Sequence, residues 1–374
     1  MTYLQPSDET PEKLRYVDAL RGLAVLGVVA YHVGQYGASA PFFHPLLAAA
    51  VESGARGVQL FFVLSAFTLF RSAQRRETEA HAVRNFFLRR AFRIVPMYWL
   101  ALLYFGLWFT YVQPRPLTAG QVLSNLLLVH GFGPGWINSA VPGGWSVGVE
   151  VMFYCLVPAL VLRLRSLDHA LRFVVVTWLL NGVLALALHQ WPPVANVWEL
   201  NSFLFFYLPA QLPVFGLGVA LFFVIQPADI PRPVGGSTLL AVALAGLVSL
   251  ILGSPTQQHF WFAGGFVVLG MALSRYPNAG LVNRVTTWLG RISFSLYLVH
   301  FAVLLGLDYL GWNDMLHPTR MREAVVDYAL RFILVLTVSG LLATLFYECV
   351  EKPFQRVGKR LIAGPPAPPI SAAR

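Results

Sequence analysis

Apolar stretches of about twenty residues recur from Val17 to Cys349, separated by short polar breaks. A helix needs about 20 predominantly apolar residues to cross a bilayer. The pattern predicts ten spans, at 17–36, 57–71, 94–112, 145–163, 171–190, 202–225, 238–253, 259–274, 292–311 and 328–349. The expected fold class is all-α, a polytopic transmembrane helix bundle. One apolar segment does not fit the scheme: QVLSNLLLVHGF at 121–132 is too short to span, and counting it would place Arg163 and Arg165 outside. It reads as a re-entrant or interfacial segment on the outer side, which requires protein to cover its backbone.

The polar residues 1–16, with Pro6 and Pro11, read as a cytoplasmic tail. A single transmembrane domain follows over 17–356, and then a Pro-rich cytoplasmic tail over 357–374, expected to be disordered. The first apolar stretch is too long for a signal h-region and lacks a small-residue cleavage site, so it is expected to be a retained span.

Composition supports the membrane reading. Of 374 residues 57% are apolar and 12% charged, with a mean hydropathy of +0.62. Soluble domains average roughly 45–50% apolar and about 25% charged, which excludes a soluble enzyme. A net charge of +10 in a soluble chain would suggest nucleic acid. Here the cations cap the spans, and no nucleic-acid partner is expected. Lys and Arg number 21 on one side of the ten-span scheme and 4 on the other. That bias places both termini in the cytoplasm. Cys155 and Cys349 both fall in apolar stretches and supply neither a disulfide framework nor a metal site. No zinc motif, phosphate-cradling loop or G-x-S-x-G elbow is present.

Ionisable groups inside a membrane are functional candidates unless a packing partner explains them. The first span holds Asp18, Arg21 and His32. Asp18 and Arg21 share a helical face, so an ion pair explains them as well as a site does. His32 lies about 22 Å along the helix from Val17, and Glu150 about 7.5 Å below the outer end of its span at Trp145. With a hydrocarbon core of about 30 Å, the two sit at matched depth and can meet, as a general base and its orienting carboxylate or as a structural hydrogen bond. The break at 71–93 carries seven arginines. Arg75 and Arg76 suit topology and anionic lipid, whereas Arg90 and Arg93, three apart beside the next span, suit a phosphorylated ligand. His300 is as compatible with bundle packing as with a site. Glu351 is placed to pair with a loop arginine, and His130 on the outer segment is a weak candidate for facing an acceptor.

These residues occur within six fragments, in order: YVDALRGLAVLGVVAYH, FFVLSAFTLF, FLRRAFRIVPMYW, GGWSVGVEVMFY, ISFSLYLVH and YECVEKPF. Together they resemble the acyltransferase family 3 membrane proteins, bacterial O-acyltransferases, over about residues 16–356. The family's arginine and the histidine eleven positions later match Arg21 and His32. Its arginine pair matches Arg90 and Arg93, and its glutamate after Trp-Ser matches Glu150. Ala66 departs from the glycine usual in the second span, and the short stretch after Lys359 is expected to hold no SGNH-type esterase domain of the kind some members carry. The resemblance implies an acyl-CoA donor, usually acetyl-CoA, binding at Arg21, Arg90 and Arg93, and catalysis at His32 and Glu150 without a metal. The acceptor it implies is a sugar hydroxyl, often on a lipid-linked glycan or on a glycoside such as a macrolide. The expected location is the bacterial inner membrane. The alternative of another class is an exporter of a polysaccharide or acylated intermediate, against which stands the absence of repeat symmetry.

Overall fold

The computed structural model describes residues 14–225, 236–253, 258–313 and 315–363. The expectations for residues 1–13 and for the Pro-rich tail beyond 363 lie outside these. The chain folds as fifteen described helices: α1 (Arg15–Gln35), α2 (Pro45–Ser53), α3 (Gly57–Arg75), α4 (Ala82–Tyr111), α5 (Ala119–Leu126), α6 (Trp145–Arg163), α7 (Leu167–Gln190), α8 (Val197–Phe206), α9 (Leu208–Ile225), α10 (Gly236–Gly253), α11 (Gln258–Arg275), α12 (Arg284–Arg291), α13 (Ser293–Tyr309), α14 (Met321–Phe346) and α15 (Lys352–Ala363). A π-helical turn, Tyr347–Glu351, joins the last two. No strand occurs among the described residues.

Every span read from the sequence falls on a helix. Among the described residues seven helical segments are long and apolar enough to cross a membrane, and α12 with α13 makes an eighth if that pair, bent by 79°, is one span, against the ten expected. The apolar part of α10 is short, Ser237–Val248. α11 carries Gln258, His259 and Arg275 at its ends.

Helix α1 is the centre of the packing. Its Val25, Val28, Val29 and Val33 are fully buried. Gly22 lies on the Thr286 carbonyl of α12 and Gly290 on the Asp18 carbonyl of α1, so close that a Cβ at either would overlap backbone. Small residues permit this approach where lipid supplies no hydrophobic drive between helices. The other end of α1 is clamped by a buried network the sequence did not reveal. Arg331 donates to Asp327 at 2.8 Å, to Ser39 at 3.0 Å, and to the carbonyls of Val33 and Tyr36. Asp327 also accepts from Ser39 at 2.6 Å and from the Leu316 amide at 3.1 Å. Every charge in this core is thus hydrogen-bonded, as burial demands.

The segment 113–144 folds back against the bundle. Tyr98 of α4 donates to Asn125 at 2.7 Å, and His130, fully buried, contacts the Gly144 carbonyl at 2.9 Å. His130 is therefore a packing residue, stacked on Tyr98, and does not face an acceptor. Leu123, Leu127 and Phe132 remain exposed, which fits the re-entrant reading: polar side inward, apolar side outward. At the other end, Arg165 grips Glu77 through two bonds of 3.0 and 2.7 Å, and Arg89 grips Glu79 at 3.1 and 3.0 Å. The guanidinium in each pair holds its carboxyl below the usual carboxylate range.

Candidate active site

A cavity of about 620 Å³, counted to its open mouth, lies among α1, α3, α4, α6 and α13. Three cations line it, Arg21, Arg90 and Arg93, with one carboxylate, Glu150. Residues from three helices, up to 129 positions apart, share this chamber, and Glu150 joins the arginines in it although the sequence alone pairs it with His32.

Local structure explains how each arrives. Arg21 is held by Thr68 of α3 at 3.2 Å and by Asp18 at 3.8 Å, so the ion pair with Asp18 exists alongside the cavity contact. Arg89 is committed to Glu79, while Arg90 and Arg93 line the cavity. The Nε of Arg90 is buried and has no hydrogen-bond partner among the described residues. Glu150 accepts from Ser65 of α3 and faces Tyr154 one turn on. The bend before α13 brings Ser293, Phe294 and Tyr297 to the wall. Tyr297 donates to the Gly143 carbonyl at 2.9 Å and accepts from Ser146 at 2.9 Å.

Sequence reasoning placed His32 and Glu150 together, and the structure corrects this. His32 Nδ1 meets Nε2 of His300 at 3.1 Å, while Glu150 belongs to the arginine cavity. The error lies in counting depth from Trp145 as though it stood at the surface. Trp145 is buried against Phe62 and Phe206, and the folded-back segment packs on the start of α6, where His130 meets Gly144 and Gly148. Glu150 consequently sits well inside, level with arginines that lie toward the other end of the bundle. His300, weighed in the sequence as equally a packing or a site residue, was not paired with His32 there for a similar reason. Gly290 packs on Asp18, so α13 begins about a turn inside the bundle and His300 reaches deeper than Ile292 suggests.

The remaining candidates divide. Glu351, buried in the π-helical turn, accepts from Ser295 of α13 and feels the charge of Arg93. Glu348 pairs with Lys352 on the exposed side. Ser65, Thr68, Ser146 and Tyr297 are site residues that sequence reasoning did not single out for chemistry. The only signal for them was their place within the six recurring fragments.

With this geometry in hand, comparison with known proteins is informative. The family model described as an acyltransferase domain matches residues 14–348. The "Putative O-acetyltransferase" of Staphylococcus aureus (strain COL) is 23% identical over 93% of this chain and 58% of its own length. "O-acetyltransferase OatA" of Staphylococcus aureus (strain NCTC 8325 / PS 47) is 21% identical over 95% of this chain and 59% of its own. The chain thus spans somewhat under three-fifths of the curated relatives it matches. No solved structure matches it.

Proposed function

The chain belongs to the acyltransferase family whose model covers residues 14–348, and from that premise we propose that it is a membrane O-acyltransferase moving an acetyl group from acetyl-CoA to a sugar hydroxyl. The observation that carries this reading is the convergence of Arg21, Arg90 and Arg93 on one cavity. Guanidinium groups match phosphate oxygens in geometry. A buried, unpartnered Nε on Arg90 is costly unless a ligand satisfies it. The nucleotide phosphates of the donor would occupy this end and the thioester would extend past Ser146 and Tyr297 toward His32. By the charge bias the arginine end opens to the cytoplasm, where acyl-CoA is made. The acceptor, a hydroxyl on a lipid-linked or exported glycan or a glycoside such as a macrolide, would approach His32 from the opposite side.

The chemistry balances with one base. As the hydroxyl oxygen attacks the thioester carbonyl, Nε2 of His32 takes its proton. The tetrahedral intermediate collapses, the C–S bond breaks, and the imidazolium returns the proton to the departing thiolate. General-base catalysis of this kind contributes typically 10²–10⁴-fold. Glu150, removed from the orienting role expected of it, would offset the mutual repulsion of the arginines and fix Ser65. The test is release of CoA thiol by the purified protein given acetyl-CoA and a glycolipid extract. Acceptor-dependent release supports the enzyme, and none over the protein-free control supports an exporter instead.

A further inference from the structure

An imidazole serves as a base only while the nitrogen facing the substrate stays unprotonated, so the protein must select its tautomer. Here the selection follows from a chain of contacts. His300 is fully buried in α13, and its Nδ1 faces the Leu296 carbonyl at 3.2 Å. A carbonyl oxygen only accepts, so Nδ1 carries the proton and Nε2 keeps its lone pair. That lone pair faces Nδ1 of His32 at 3.1 Å. Nδ1 of His32 must therefore donate, and Nε2 of His32 is left bare. The Val28 carbonyl, one turn back on α1, presents a second acceptor to His32. Phe301 packs against both rings, with centroids 4.4 Å from His32 and 4.2 Å from His300, and Tyr31 meets His32 edge-on at 4.9 Å. Neither ring can turn over without displacing these aromatics.

We propose that His300 is a positioning residue for acyl transfer, locking His32 in the Nδ1–H tautomer so that Nε2 is the base; this rests on His32 being that base. In a Ser-His-Asp arrangement a buried carboxylate does this work. Among the described residues no carboxylate contacts either ring, and a neutral imidazole anchored to a backbone carbonyl takes its place. When Nε2 of His32 accepts the hydroxyl proton, Nδ1–H stays bonded to the lone pair of His300. When the thiolate takes that proton away, both rings return to their starting tautomers.

The experiment compares His300→Leu, which removes the acceptor, with His300→Gln, whose amide oxygen can replace Nε2, using full-length protein in lipid bilayers. The readouts are kcat, the donor KM, thermal melting, and ¹⁵N magnetic resonance of histidine-labelled protein, with His32 assigned by the signal lost in His32→Ala. In the wild type His32 should show a protonated Nδ1 and a bare Nε2. His300→Leu should lower kcat about 10²-fold, the lower end of what a general base supplies, with donor KM unchanged and a second His32 tautomer present. His300→Gln should restore most of kcat. A protonated Nε2 on His32 in the wild type overturns the proposal whether or not the leucine variant folds. So does wild-type kcat in a folded His300→Leu. A fully active His32→Ala would instead remove the base itself, so the two failures are told apart.

Discussion

Arg90 is the residue on which the donor reading is most exposed, because its Nε is buried without a hydrogen-bond partner among the described residues. Hydrogen bonds to charged groups contribute about 1.5–3 kcal/mol. Changing Arg90 or Arg93 to Ala should raise the apparent donor constant roughly tenfold or more and leave the acceptor constant alone. Unchanged donor binding in both variants would reduce these arginines to topological charges. Glu150→Gln separates the role the structure gives that carboxylate from the one the sequence suggested. As the counter-charge of the arginine cavity it should alter the donor constant, whereas a partner of His32 would lower kcat at constant donor KM. Residue types and spacings made Arg90 and Arg93 legible as a pair, and the family resemblance added Arg21, whereas Glu150 was assigned to His32 and not to the arginines. The partner of His32 was not legible, since sequence supplies depth along a helix but not which face meets which.

At the scale of elements, that loss of information has a specific cause. Depth was counted from the ends of apolar stretches, and two of those ends are not at a surface. The segment 113–144 covers the start of α6, and α12 turns through 79° before α13 begins. Neither feature is written in hydropathy, because a buried helix end and a membrane-surface helix end look alike. The Arg331–Asp327–Ser39 clamp was equally hidden, although it fixes the end of α1 that carries His32. Removing one partner from a buried ion pair costs about 3–5 kcal/mol, while replacing both with apolar residues costs far less. Asp327→Leu should therefore lower the melting temperature in detergent sharply, and the double variant with Arg331→Met should recover much of it. Equal melting of all three proteins would show that the clamp does not stabilise the bundle.

For the whole molecule, the contacts show which loops share an end of the bundle, and the charge bias gives the expected side of each. Loops 76–81 and 164–166, both placed in the cytoplasm, meet through Glu77 and Arg165. The outer segments around Ser39 and Leu316 meet through Asp327. A cysteine introduced between residues 77 and 81 should be labelled by an impermeant reagent only from the cytoplasmic side, and labelling from outside would invert the donor and acceptor faces together. All of this converges on one claim, that the bundle transfers an acyl group and that His32 takes the acceptor's proton. The most direct measurement is mass spectrometry of glycans and glycolipids from cells carrying either the wild-type chain or His32→Ala, with both proteins present in the membrane at equal levels. The account predicts an acceptor heavier by one acetyl group with the wild type and unmodified with the variant. Equal acetylation in the two would contradict it.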